Sequence, residues 1–300
     1  MSLRLRTARA DDAPLISQLW EVCFPGDSDF VSYFLMDLYN PDLALLCVTG
    51  DDRPAAMLHM IPYTFSWLGN GTSLFYIYAV GTHPDFRRRG LASSLILRAI
   101  SEMHGYGALF AALIPQEDWL FDFYRLFGFA PVCPFSPLAY EFTSQPIPAR
   151  DEDIPLLNSL YEDSLPGRPH MLRSPSDWLS ILRECSLGGG NVLLDGESGY
   201  AVFPRPDAPP TEAFGPGASA TGPLKPFACI RPIDAKELCR LAAQSGLEVP
   251  ADYLEDPQAP WNTGALLPAG IPNYGRSVDV LAFTDSLFSG NPPYIQHLHN

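Results

Sequence analysis

Residues 78–92, Tyr-Ala-Val-Gly-Thr-His-Pro-Asp-Phe-Arg-Arg-Arg-Gly-Leu-Ala, constrain the fold more than any other stretch of the chain. An apolar strand runs into a tight basic turn, and the turn opens directly into a helix. That order converges several main-chain N–H groups on the positive end of a helix dipole, a geometry that suits a pyrophosphate. Gly90 lets the backbone approach a phosphate with no Cβ in the way. Arg87, Arg88 and Arg89 concentrate positive charge in a chain that is otherwise acidic, with 19 Lys+Arg against 34 Asp+Glu and a net charge of −15. Such a balance disfavours nucleic acid and anionic membrane as partners. It is compatible with a cationic acceptor.

A second motif lies downstream. Residues 107–113 read as a buried strand that Ile114-Pro115 ends. From Gln116 to Phe127 the apolar residues Trp119, Leu120, Phe123, Tyr124 and Phe127 fall at helical spacing. Glu117 and Asp118 suit a first turn, Gly128 suits a left-handed C-terminal cap, and Phe129 to Val132 begin another strand.

Arg87-x-x-Gly90-x-Ala92 resembles the acetyl-CoA-binding motif of the GNAT acyltransferase superfamily, and Phe123-Tyr124 with Gly128-Phe129 resembles the Phe-Tyr-x-x-x-Gly-Phe signature of the same superfamily. The resemblance covers about residues 1–145. It implies an α/β (α+β) fold, a mixed sheet flanked by helices. It implies acetyl-CoA as acyl donor and direct transfer to an amine in a ternary complex. It places the coenzyme on Val80, Gly81, Thr82, Arg87, Arg88, Arg89, Gly90, Leu91, Ala92 and Gln116, with the N–H of Val80 or its neighbour polarising the thioester carbonyl. It makes Tyr124 the general acid. The chemistry agrees, because a thiol leaves near pKa 8.5 and a tyrosine near 10 can supply a proton or a hydrogen bond.

The amine must lose a proton before attack. Many relatives use a glutamate on the strand before the phosphate loop, but here that strand, Phe75-Tyr76-Ile77-Tyr78-Ala79-Val80, has no carboxylate. Asp27 and Asp29, in the loop between the first two helices, are candidates for the acceptor site, against the plainer reading of solvated surface acids. Tyr76 and Tyr78 alternate onto one face and are candidates to line an acceptor pocket.

Three hundred residues suit two domains. The expected division is 1–145 and 146–300, the second an α+β domain without a coenzyme motif. Residues 204–226, with seven prolines, read as a flexible connector or surface loop. Asp256-Pro257 to Gly264 and Val278 to Gly290 resemble pieces of the sterol-carrier-like domain of enhanced-intracellular-survival-type acetyltransferases, which also carry a degenerate GNAT-like domain. In those relatives the C-terminal carboxylate reaches the active site; here the ending Gln296-His297-Leu298-His299-Asn300 reads equally as a loose tail. Six scattered cysteines without metal-ligand spacing predict reduced thiols, no structural metal and a cytoplasmic setting. No apolar run is long enough to span a membrane, so none is expected as a partner.

The sequence leaves three readings standing. The first is an N-acetyltransferase acting on a small-molecule or peptide amine. The second is a catalytically silent acyl-CoA-binding or sensing protein. The third is a lipid-binding module in the C-terminal half. The acceptor's identity and the oligomeric state, monomer or homo-oligomer, stay open.

Overall fold

A computed structural model describes residues 3–26, 28–247 and 287–288. The chain begins with β1 (Leu3–Thr7), then a 3-10 turn at Ala10–Asp12 and α1 (Ala13–Cys23). The start of α1 is fixed locally. The Asp12 carboxylate accepts the Arg9 N–H at 2.7 Å and two Arg6 bonds at 2.5 and 2.8 Å, and Pro14 sits in the first turn, where its missing donor costs nothing. Ile16, Leu19 and Trp20 form its buried stripe. A short α2 (Ser28–Tyr33) continues into a π-helical turn, Phe34–Leu38.

There follow β2 (Ala44–Thr49), β3 (Pro54–Trp67), β4 (Asn70–Thr82), α3 (Leu91–Gly105), β5 (Phe110–Leu113), α4 (Asp118–Arg125) and β6 (Ala130–Phe135). The β3–β4 reversal uses Leu68 and Gly69, at φ 51° and 74°, one residue earlier than the Gly69-Asn70-Gly71 turn the sequence suggests. Two successive positive φ values match the strand twist of a tight hairpin.

The second half contributes β7 (Leu138–Tyr140), β8 (Ile147–Pro148), α5 (Ile154–Asp163), β9 (His170–Leu172), α6 (Pro175–Leu187), β10 (Asn191–Asp195), β11 (Gly199–Phe203), β12 (Glu212–Phe214), β13 (Ala218–Ala220), β14 (Lys225–Pro232) and α7 (Ala235–Gln244). Residues 204–226 are therefore not a plain connector. They carry β12, which pairs with β11, and β13, which pairs with β7. Prolines are tolerated there because these are short edge strands.

The main sheet runs β1-β2-β3-β4-β5-β14-β6, with β9 added to β3. β14 comes from the far half of the chain yet lies between β5 and β6, antiparallel to both. A cut at residues 145–150 is thus not a division of the packing. The segment between β6 and β14 is an insertion into a sheet that β14 completes. On one face of that sheet α3 and α4 pack with Leu95, Ile96, Met103, Tyr124 and Phe127. On the other lie α1 and α2, then α7 with Leu238 and Ala242 beside Leu287 and Phe288. No helix of the described residues is long and apolar enough to cross a membrane. The sterol-carrier-like fragments and the C-terminal tail fall outside the described residues, apart from Leu287 and Phe288.

The inserted segment repeats the start of the chain. Residues 8–26 and 149–167 align without a gap, and nine of the 19 positions are identical, among them Arg9/Arg150, Asp12/Asp153, Pro14/Pro155, Leu19/Leu160 and Pro25-Gly26/Pro166-Gly167. The fold repeats with them. A 3-10 turn leads into α5, and the Arg150 N–H donates to Asp153 at 2.9 Å as Arg9 does to Asp12. The sheet order β8-β10-β11-β12 reproduces β1-β2-β3-β4, antiparallel throughout.

Candidate functional site

Two departures from regular pairing open the site. β4 and β5 run parallel over Leu74, Phe75 and Tyr76 only. Past Tyr76 the strands separate. In the same region the β3–β4 register slips: Met57 faces Gly81 and His59 faces Tyr78, so three steps on β4 match two on β3. The extra residue is a bulge, and Ala79 holds φ 48° within it. A non-glycine residue there costs on the order of 1–3 kcal/mol, a cost met only where the surroundings over-determine the conformation.

The gap is a cavity of about 150 Å³ lined by Trp20 and Phe24 of the first helix and its exit, Tyr76 to Val80 of β4, Leu113, Ile114 and Gln116 after β5, and Leu120 and Tyr124 of α4. Tyr76, Tyr78, Val80, Gln116 and Tyr124, all singled out from sequence, meet here. Trp20, Phe24 and Leu120 do so as well. Their helical periodicity marks them as core, and only the splayed strands turn that core face into a wall.

β4 continues through Gly81 and Thr82 into an exposed turn. A side chain at Gly81 would press on Cys23 Sγ at 3.1 Å and Met57 Cε at 3.3 Å. In the turn Arg88 (φ 61°) and Gly90 (φ 73°) are left-handed, and Gly90 is the N-cap of the fifteen-residue α3. Among the described residues no side chain caps α3, so the first-turn amides of Leu91, Ala92 and Ser93 have no capping side chain there, and a Cβ at Gly90 would meet nothing within 4 Å. The arginines shape the turn: Arg87 donates to the Thr82 carbonyl at 3.2 Å, and Arg89 donates to the Asp85 carbonyl and covers the Phe86 ring. An uncapped helix end beside three arginines fits a diphosphate.

Tyr124 is 7 % exposed, and its hydroxyl has no hydrogen-bond partner among the described residues. Burial raises its pKa well above the ordinary tyrosine value, with the Cys229 thiol adding to the rise. The wall behind it is late in sequence. Cys229 of β14 packs in the same core cluster, and Arg231 of β14 donates to the Phe127 carbonyl just past α4. Arg231 is fully enclosed, and desolvation lowers its pKa to about 10. Gly128 (φ 79°) then turns the chain into β6.

Two further titratable groups border the cavity. His59, cross-strand from Tyr78, is 3 % exposed among Trp20, Phe34 and Tyr39; its Nε2 has no hydrogen-bond partner among the described residues, and burial holds its pKa down to about 3. The Cys23 thiol is pushed up to about 11 by burial, with Arg87 pulling the other way. Asp29 is exposed on the first turn of α2 and does not line the cavity; the helix dipole accounts for its place. Asp27 lies outside the described residues.

Comparison with known proteins agrees with this geometry. Residues 4–132 match the family of acetyltransferase (GNAT) domains. Over 119 residues, 39% of this chain and 77% of the relative, the sequence is 29% identical to an acetyltransferase of Photorhabdus laumondii. A conserved protein of Enterococcus faecalis described as a probable N-acyltransferase superposes with a TM-score of 0.62 at 12% identity, covering 79% of this chain and 74% of that one. Eis1 from Mycobacterium abscessus gives 0.57 at 13%, over 80% and 75%. A GCN5-related N-acetyltransferase from Kribbella flavida gives 0.57 at 16%, over 79% and 73%. At such identities the superpositions speak for the fold, and they extend well past the first half of the chain.

Proposed function

We propose that this chain, whose residues 4–132 are a GNAT acetyltransferase domain, transfers an acetyl group from acetyl-CoA directly to an amine held in the same cavity. The observation that carries this reading is that one cavity is walled both by the bulged strand, Ala79 and Val80, and by Tyr124. Acetyl-CoA, when bound, supplies the acetyl group as a thioester. The turn from Arg87 to Gly90 and the amides of Leu91 and Ala92 would hold the diphosphate. The bulge leaves a main-chain amide near Val80 outside the ladder, available to an acyl oxygen. Gln116 and Leu120 close the other side.

Tyr124 gives its hydroxyl proton to the sulfur as the C–S bond breaks and the C–N bond forms. The surplus proton on nitrogen leaves to water, and the tyrosine is reprotonated from solvent. Burial makes Tyr124 a weaker acid than a free tyrosine. The same dry site also raises the pKa of the departing thiol, so the two stay closer than the tyrosine shift alone suggests. Tyr124 therefore acts first as a hydrogen-bond donor to developing charge. No cysteine lines the cavity among the described residues, in keeping with direct transfer. We assign the inserted segment, about 136–224, no coenzyme site of its own.

The test is thiol release from acetyl-CoA across a panel of amines, with Tyr124→Phe beside the parent. We expect turnover to fall about 10²-fold or more, with coenzyme affinity by calorimetry unchanged. Coenzyme binding without turnover on any amine would favour the silent binding protein instead.

A further inference from the structure

The cavity wall is unusual in what it offers an acceptor. Five of its side chains are aromatic (Trp20, Phe24, Tyr76, Tyr78 and Tyr124), and Gln116 is the one other polar side chain. Among the described residues that line it, none is a carboxylate, an imidazole or an ammonium. The aromatic character continues behind the wall, where Phe34 packs on Trp20 at 4.9 Å and on Tyr78 at 5.6 Å. A polyamine or amino sugar carries several ammonium groups, and each one beyond the reacting nitrogen is held more strongly by a carboxylate than by a ring face. Among the described residues this wall gives no carboxylate. A single apolar body suits it, and burying a side chain the size of phenylalanine is worth about 10–150-fold in affinity.

Deprotonation narrows the class further. Among the described residues, the titratable groups facing the cavity are Tyr76, Tyr78 and Tyr124; behind them stand His59 on β3, Cys23 against Gly81 with Arg87 beyond it, and Cys229 on β14. Burial holds His59 too weak a base to take a proton from an ammonium, and it keeps the Cys23 and Cys229 thiols protonated, at about 11 and about 12. With these groups alone, an acceptor arrives neutral. At pH 7.4 an α-amino group of pKa about 7.7–8.0 is roughly 20–30% neutral, while a lysine-type amine of pKa about 10.4 is roughly 0.1% neutral.

On the acetyltransferase reading above, we infer that the acceptor is the α-amino group of an amino-acid amide or peptide whose first side chain is apolar or aromatic. The aromatic wall takes that side chain, and the enzyme selects the neutral amine instead of generating it.

Steady-state thiol release at pH 7.4 tests this with phenylalanine amide, the tripeptide amide Phe-Ala-Ala, glycinamide, Nα-acetyl-lysine amide and spermidine. Phenylalanine amide should exceed glycinamide in kcat/KM by about 30-fold and the lysine derivative by about 100-fold or more. Its kcat/KM should rise tenfold per pH unit up to the acceptor's own pKa and then level. Trp20→Ala, or Trp20→Leu if the alanine variant does not fold, should bring the phenylalanine/glycine ratio towards one with coenzyme affinity unchanged. Equal rates on phenylalanine amide and the tripeptide assign the small amide as the source, and a faster tripeptide assigns a peptide N-terminus. Preference for spermidine or the lysine derivative overturns the inference and leaves the acetyltransferase reading intact. So does a pH inflection that stays fixed when the acceptor is changed, since that would report a base in the site. Coenzyme binding with no thiol release from any acceptor removes both.

Discussion

Residues 8–26 and 149–167 begin two copies of one scaffold, and the first opens a cavity where the second is filled. Both run a 3-10 turn into a helix that packs on a four-stranded antiparallel start. One helix position among those that differ faces the cavity of the first copy. In the first, Trp20 lines an open cavity. Its counterpart Tyr161 is fully buried, donates to the Met171 carbonyl at 2.8 Å, and carries the Arg173 guanidinium 4.0 Å above its ring. Arg173 is also stacked on Trp178 and makes paired bonds of 2.7 and 2.6 Å to the buried Glu212, which accepts Tyr200 at 2.5 Å. A polar plug occupies the ground where the first copy keeps room. The strands differ to match: β3 and β4 have 14 and 13 residues, β11 and β12 five and three. The short strands end before a splay or an uncapped helix could form. The two copies differ in strand length, in a bulge and in an open helix end, and none of these resides in the repeated segment.

The comparison can be broken first at the plug. Arg173→Ala leaves the buried Glu212 without its ion-pair partner and should cost about 3–5 kcal/mol in denaturant unfolding, yet leave coenzyme affinity unmoved. Altered affinity would mean the second copy shares in binding. Next, Gly90→Val forces a β-branched residue to φ 73° and crowds the α3 amides. Coenzyme affinity should fall about 100-fold, roughly 2.7 kcal/mol, while a substitution at Gly196 in the second copy should change stability alone.

A pH scan separates the copies more finely. His59 titrates lower in the folded protein, at about 3, than unfolded, so its contribution is full above pH 6.5 and is lost as pH falls. At pH 5 that loss is about 2 kcal/mol, and His59→Phe should remove it. Glu184 on α6 is pushed by burial up to about 9, so its contribution is full below about 4.5 and is lost as pH rises. Glu184→Gln should raise the melting midpoint by several degrees at pH 8 and by less at pH 5. Matching acid and alkaline limbs after either substitution would refute the assignment. The smallest effect belongs to Asp29→Asn, expected to change kcat/KM by less than about twofold, as for a solvated surface acid.

Much of the first copy was legible because its signals are local. Arg87 to Ala92 and the Phe123–Phe129 signature each specify a turn chemistry and a helix end within a few residues. Asp29 looked a plausible acceptor ligand only because loop position was the sole guide; its carboxylate sits on an exposed helix start. The prolines of 204–226 concealed β12 and β13, since proline statistics describe central strands better than short edge pairs. The repeat was present in the sequence as nine matches at constant spacing, but a similarity so divided by substitution has no local chemistry to announce it.

The sequence by itself determined the strand, the basic turn, the uncapped helix and the tyrosine, because glycine, proline and charge act over a few residues of backbone. Tertiary structure alone decided that β14, some ninety residues beyond β6, slips between β5 and β6 and carries Arg231 to the Phe127 carbonyl. It likewise decided that Trp20 faces a cavity while Tyr161 faces a plug. Both outcomes depend on which distant side chains fill a space, and no short stretch of chain encodes its own neighbours.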